Sequence, residues 1–430
     1  MSFSDPRQFL TDLFHVAVEA SVPKNVLSAH LPVQPKGRTI IVGAGKASAQ
    51  MAAALEQICL NNRDWHSPLS GLVVTQYGAA ETCQNIEIVE AAHPVPDAAG
   101  EQAARNMLEL VETAGENDLV IALISGGGSS LLSLPVEGLT LADKQQINRS
   151  LLSSGAPISA MNMIRKMFSK VKGGRLGAAA YPARLVSLII SDVPGDDPAL
   201  VASGPSVASI GGAKEAAALV KAFNIALPPA AEQVLSLDRN RPPVPGDACF
   251  EFEEHCVIAS AKLSLDAAAD AARLAGCDVI VLSDAIEGEA REVGQEHGAL
   301  VREKLLMRSG HRPLLILSGG ETSVSIEGGF ENAGKGGRNS EYLLALALSI
   351  QGLCGVFCLG ADTDGRDGSE DNAGAFCDGT SIERMALAGI NAQEKLDRHD
   401  AWNAFNSVGD LLISGPTGTN VNDFRALLIS

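Results

Sequence analysis

Short apolar runs closed by glycine, each followed by a stretch with helical periodicity, recur along the chain. Thr39-Ile40-Ile41-Val42 ends in Gly43-Ala44-Gly45, and Lys46 to Cys59 then reads as an Ala-rich helix. Gly71–Val74, Ile86–Glu90, the wholly apolar Leu119–Ile124 and Leu185–Ile190 read as further strands, with a helix over Ala98–Thr113. Apolar runs without alternation are what a strand covered on both faces requires, so the rhythm predicts a parallel α/β sheet. Composition shifts over 228–247, where Arg239-Asn240-Arg241-Pro242-Pro243-Val244-Pro245-Gly246 is the best linker candidate. Beyond it, strands are expected at Cys256–Ala259, Asp278–Leu282, Leu314–Leu317, Thr322–Ile326 and Gly355–Leu359. Helices are expected over Leu263–Ala275, Ala290–Leu306 and Ser340–Ile350. The expectation is two α/β domains, over 1–236 and 250–430, with largely parallel sheets and an interdomain cleft.

Composition narrows the function. The 430 residues are 46% hydrophobic and 20% charged, the balance of an ordinary globular protein. With 33 Lys plus Arg against 51 Asp plus Glu, the net charge of −18 makes nucleic acid and anionic membrane poor partners. It leaves open a small anionic substrate, which responds to the local field of a site. No apolar run is long enough to span a bilayer, and Met1 to Asp5 lacks the charged-then-apolar pattern of a secretion signal. Eight cysteines are scattered, and the pair Cys354 and Cys358, inside an apolar run, reads as buried thiols rather than zinc ligands. A cytoplasmic, reducing compartment is expected.

Candidate chemistry clusters where strands end. Gly43 and Gly45 with Lys46 open a helix, a junction that aims backbone N–H groups at an anion. Ile40 and Ala47 stand where a Walker A loop needs Gly and Ser/Thr, and Ser48 stands at the third glycine of a dinucleotide fingerprint. A tight turn with a solvated lysine is the alternative. Ser125-Gly126-Gly127-Gly128-Ser129-Ser130 combines close backbone approach with three hydroxyls, which favours anion binding over a plain turn. Asp192, in Ser191-Asp192-Val193-Pro194-Gly195-Asp196-Asp197, follows another strand and reads as a base or a metal ligand. Arg165, Lys166, Lys170, Lys172 and Arg175 form a basic cluster, either a solvated helix face or a lining for phosphate or carboxylate. Glu321 follows Ser318-Gly319-Gly320. Arg338 and Asn339 follow a Gly-rich stretch at 334–337, where Arg338 can grip an oxyanion bidentately. Asp362, Asp364 and Asp367 invite a divalent cation, with a charged loop as the alternative. Thr417 and Asn420 lie in Gly415-Pro416-Thr417-Gly418-Thr419-Asn420, which caps a site or simply turns. His93 reads as a structural histidine.

In this order the strings GAGKAS at 43–48, AAHPVPD at 91–97, SGGGSSLL at 125–132, SDVPGDD at 191–197, ASGPS at 202–206, SGGETSV at 318–324, GKGGRNSE at 334–341, ADTDGRDG at 361–368 and GPTGTNVND at 415–423 resemble the glycerate 2-kinase family. The block from Asn162 to Leu176 resembles it too, except that Met167-Phe168 replaces the His-Leu usual there. The resemblance implies a Rossmann-like N-terminal domain and a MOFRL-type C-terminal one. It implies ATP-dependent phosphorylation of D-glycerate at its 2-hydroxyl, with Mg²⁺. On this reading Lys46, Asp192 and Arg338 are catalytic, and Asp362, Asp364 and Asp367 hold the metal. Gly43, Gly45, Ser125, Gly126, Gly127, Gly128, Ser129, Ser130, Lys172, Glu321, Asn339, Thr417 and Asn420 bind substrate or nucleotide. A homodimer is compatible with it. Family members are often labelled hydroxypyruvate reductases. An NAD(P)H-dependent reductase and a phosphosugar-sensing module are the competing readings, and the incomplete fingerprint weighs against the first.

Overall fold

The computed structural model describes residues 5–236, 241–308, 312–326 and 334–430. Residues 237–240, which include Arg239 and Asn240 of the expected linker, lie outside the described residues. The chain divides into two compact units, one spanning Pro23–Ile258 and the other combining the segment up to Val22 with Ala259–Ser430.

The first unit is built on a six-stranded sheet of β1 (Thr39–Ala44), β2 (Leu69–Gln76), β3 (Ile86–Ala91), β4 (Leu119–Ile124), β5 (Arg184–Ile190) and β6 (Glu253–Ala259), in the order β3-β2-β1-β4-β5-β6. The pairings β3–β2, β2–β1, β1–β4 and β4–β5 are all parallel. Every residue of β1 and β4 is buried, which explains their unalternating sequences. One face packs Ile40, Val42, Val120 and Ala122 against Ala103, Ala104 and Met107 of the helix Ala98–Val111. That helix starts where the Asp97 carboxylate accepts the Gly100 N–H at 3.0 Å. Strand order reverses between β1 and β4. In an open α/β sheet the carboxyl ends of the strands flanking such a reversal leave a crevice for ligand.

The second unit carries β7 (Asp278–Val281), β8 (Leu314–Ser318), β9 (Val356–Asp362), β10 (Gly374–Asp378), β11 (Leu411–Leu412) and β12 (Asp423–Ile429), in the order β11-β10-β9-β12-β8-β7. The α/β class holds in both units, and the first sheet supplies its parallel character. In the second sheet only β7–β8 is parallel, and β12 runs antiparallel to both β8 and β9. Along β12, Phe424, Ala426 and Leu428 face one core while Leu427 and Ile429 face another. The second of these cores is closed by the helices Ala290–Met307 and Arg338–Ile350.

Four expectations are corrected. Helix Pro6–Glu19 does not belong with the first unit: Phe9, Leu10, Leu13 and Phe14 pack on Leu265, Ala268 and Ala269 of the helix Ala261–Leu274. β6, expected beyond the linker, is a strand of the first sheet, so that unit runs on to Ile258 rather than ending at 236. Thr322–Ile326 is not a strand. Its one ladder contact is an isolated parallel bridge from Ser323 to Glu289. Cys354 is also exposed and precedes β9, so only Cys358 of that pair is buried.

Candidate active site

At the reversal point of the first sheet, two loops interlock. Gly43 is buried within β1, beside Val73 and Leu123. Gly45, which follows β1 at φ +149°, lies against Ser125, and the Lys46 N–H donates to the Gly126 carbonyl at 2.9 Å. The Ser125 hydroxyl accepts the Ala47 N–H at 3.1 Å and bonds the Ser48 hydroxyl at 3.0 Å. Ser48 therefore serves as a tie between the loops, at the place where a dinucleotide fold has its third glycine. The Lys46 side chain lies beside Gly127, as does His93: a Cβ on Gly127 would sit 3.1 Å from Lys46 Cγ and from His93 Nε2. Burial, and behind it the positive charge of Lys46, pushes the His93 imidazole down to about 4, so the ring is neutral at pH 7. Lys46 has no ion-pair partner among the described residues.

The glycine loop works through its backbone. Gly127 sits at φ +77°, a conformation that glycine adopts at no steric cost. Any side chain on Gly126 would overlap the Asp192 carboxylate, which follows β5. Among the described residues, the N–H groups of Gly126 and Gly127 donate to no acceptor. Two such amides beside a lysine form a nest for an anion. The three hydroxyls expected to donate are engaged internally. Ser130 donates to the Gly127 carbonyl at 3.1 Å, and Ser129 bonds Ser203 at 2.9 Å. Gly128 is buried at the start of the one-turn helix that these serines enter. Lys172 is fully buried and donates to the Ser129 and Leu132 carbonyls at 2.5 and 3.1 Å.

In the second unit, charges converge on Arg338 at the start of the helix Arg338–Ile350. Its guanidinium meets Asp423 at 2.8 Å, Asp362 at 2.5 Å and Glu321 at 2.9 Å. Burial opposes its charge, but Asp423, Asp362 and Glu321 overcome that and hold it above the ordinary arginine range. Asp423 and Asp362 are buried, whereas Glu321 is 54% exposed. Asn339 donates to Asp423 at 2.8 Å, and the fully buried Arg425 pairs with the same carboxylate. An open pocket of about 610 Å³ lies here, bordered by Thr322, Gly336, Gly337, Arg338 and His399. That volume falls in the range of small-molecule sites.

The expected metal triad does not assemble. Asp367 caps the helix, accepting the Asn339 and Ser340 N–H groups at 2.9 and 2.8 Å and the Ser340 hydroxyl. Asp362 is spent on Arg338, and Asp364 accepts the Arg366 N–H at 2.8 Å. Among the described residues no three His, Cys, Asp or Glu side chains converge to hold a metal ion. Thr417 ties its loop to the Asp362–Asp367 loop by donating to the Thr363 carbonyl at 2.6 Å, and Asn420 accepts the Asn422 N–H at 3.0 Å in a local turn. Both stabilise loops in this geometry.

Some side chains of these clusters are not apparent from the sequence pattern. Asp423 and Arg425 are charged positions inside an otherwise apolar strand, and that interruption was the available signal. Ser203, with Ala202, holds a left-handed backbone at φ +63° and +52° and braces Ser129 and Asn162. Nothing in the residue types announces that strain.

A family model described as a domain of unknown function (DUF4147) matches residues 9–236, and the MOFRL family model matches 314–423. A protein of Agrobacterium vitis, provisionally named a hydroxypyruvate reductase, is 47% identical over 98% of this chain and 94% of its own. The D-glycerate 2-kinase of Thermotoga maritima is 35% identical over 98% of each chain. The crystal structure of a Thermotoga maritima glycerate kinase superposes with a TM-score of 0.88 at 34% identity, covering 99% of this chain and 100% of the other. With these matches spanning almost its whole length, the chain belongs to the glycerate 2-kinase family, a DUF4147 domain followed by a MOFRL region.

Proposed function

We propose that this protein is an ATP-dependent D-glycerate 2-kinase, forming 2-phosphoglycerate and ADP. The observation that carries the reading is the cluster at the β1/β4 reversal: two amides and a lysine without partners among the described residues, and a carboxylate, around one loop. In the transfer, the C2 oxygen bonds to the γ-phosphorus, the bond from that phosphorus to the β–γ bridging oxygen breaks, and the hydroxyl proton passes to Asp192. The Gly126 and Gly127 amides and Lys46 stabilise the anionic oxygens of the moving group. In the second unit, Asp423 and Asp362 orient the Arg338 guanidinium, and displacement of the exposed Glu321 would free one of its edges to grip an oxyanion. The neutral His93 can accept or donate a hydrogen bond beside Lys46 without adding charge.

Magnesium enters as part of the MgATP substrate, which needs at most one or two protein carboxylates. A three-aspartate cage does not fit, because Asp367 is a helix cap, and no step is assigned to a protein-caged metal.

The test is an assay with D-glycerate, ATP and Mg²⁺, resolving 2- from 3-phosphoglycerate, beside a parallel assay with hydroxypyruvate and NADH. ATP-dependent 2-phosphoglycerate with no NADH oxidation is expected. Accumulation of 3-phosphoglycerate would overturn the regiochemistry, and NADH oxidation without phosphoglycerate would overturn the kinase reading.

A further inference from the structure

Behind the glycine loop, the first unit encloses a cavity of about 20 Å³, lined by Ser129, Ser133, Lys144, Asn148, Arg165 and Lys172 among others. That is room for about one water-sized group. Its chemistry is lopsided. Lys144 and Lys172 are 9% and 2% exposed, yet neither they nor Arg165 meets a carboxylate at ion-pair distance among the described residues. Their bonds go to neutral oxygens: Lys144 to the Phe168 carbonyl at 3.4 Å, Lys172 to two carbonyls, Arg165 to the side chains of Asn148 and Asn162. The Ser133 hydroxyl is buried on the same wall and has no hydrogen-bond partner among the described residues. Buried cations without a counter-charge are costly, and an orphaned buried hydroxyl adds to that cost. In a chain of net charge −18, three cations left together with no carboxylate at ion-pair distance among the described residues mark a place for an anion from outside.

We infer that this cavity is the subsite for the carboxylate of the hydroxy-acid substrate, held by Lys144, Lys172 and Arg165 with Ser133 as a hydroxyl donor. The inference rests on the kinase reading for the identity of the acid, but the anion site itself does not. The cavity has room for about one oxygen-sized group, which one oxygen of a carboxylate fills. The position fits as well. Ser129, on the cavity wall, is part of the segment whose earlier residues, Gly126 and Gly127, face Asp192 and Lys46. One short stretch of chain thus presents an anion pocket at one end and the proposed transfer residues at the other. Burial, together with repulsion from Arg165 and Arg175 and only partial relief from Glu101, pushes the Lys144 ammonium down to about 7. Burial and the neighbouring Lys144 and Arg165 charges push Lys172 well below its ordinary value. Arrival of a carboxylate restores both charges.

The test is Lys144→Met in the full-length chain, with Ser133→Ala as the milder variant, read by thermal unfolding and by kinetics. Lys144→Met removes an uncompensated buried charge, so the ligand-free protein should melt at an equal or higher temperature. Its KM for D-glycerate should rise tenfold or more while KM for ATP stays within about twofold. D-glycerate should raise the wild-type melting temperature but not that of Lys144→Met, and glycerol at the same concentration, which lacks the carboxylate, should raise neither. Ser133→Ala should raise KM for D-glycerate a few-fold. An unchanged KM and thermal shift with D-glycerate in both variants would overturn the proposal. Lys144-dependent stabilisation by chloride, with KM unchanged, would overturn the carboxylate assignment and leave a structural inorganic anion. If the wild type fails to phosphorylate glycerate but is stabilised by lactate or glycolate through Lys144, the subsite stands and the kinase reading falls.

Discussion

Lys46 occupies an electrostatically poor place, since a cation at the start of a helix opposes the helix dipole. Its position is tolerable when an anion is delivered there, and the Gly126 and Gly127 amides point to the same event. Asp192 lies against Gly126, where any larger residue would displace it. Lys46→Ala and Asp192→Asn should therefore each lower kcat by roughly 10²-fold or more, with unfolding midpoints close to wild type. Turnover near the wild-type rate in either variant would remove that residue from the chemistry. These residues were legible in the sequence because glycines and a lone lysine at a strand end carry their meaning locally. The Arg338 cluster was only half legible. Arg338 and Asp423 stand 85 positions apart, and only the pairing of β9 with β12 brings Asp362 and Asp423 side by side. The Asp362–Asp367 loop misled for a related reason: its spacing is right for a cation, but the helix start packed beside it consumes one carboxylate and Arg338 another.

That helix start is where the element scale decides between two readings of Asp367. The carboxylate satisfies two of the orphan N–H groups that open the helix Arg338–Ile350 and sits fully buried against them. Asp367→Ala should lower unfolding stability by about 2–4 kcal/mol, by the sum of a lost cap and buried donors left unpaired. Urea denaturation measures this. A metal role predicts instead an altered Mg²⁺ dependence with stability preserved. Among strands, β1, β4 and β5 were visible because burial on both faces writes an unbroken apolar run. β12 is equally buried but escaped notice, because Asp423 and Arg425 interrupt it. β11, with two residues, is too short to leave a pattern. Thr322–Ile326 has the β-branched residues of a strand, but among the described residues no strand pairs along its length.

At the scale of the molecule, contiguity in sequence and compactness in space part company. The DUF4147 match begins at residue 9, yet the helix Pro6–Glu19 completes the core of the unit that contains the MOFRL match. The attachment is specific as well as apolar. Arg7 pairs with Asp410 at 3.1 Å and lies 4.4 Å over the Phe376 ring, and the Thr419 hydroxyl donates to the Ser21 carbonyl at 2.8 Å. Burying Phe9, Leu10, Leu13 and Phe14 contributes on the order of 10 kcal/mol, comparable to the whole stability of a domain. A chain starting at Pro23 would keep every strand of the first sheet but uncover Leu265, Leu317 and Phe424 in the second unit. Amide hydrogen exchange on that truncated chain should show protection lost across β8, β9 and β12 and retained in β1 and β4. Continued protection of β8 and β12 would mean that the second unit closes its core without the N-terminal helix. The contacts of Arg7 and Phe9 would then be accessories to an independent fold.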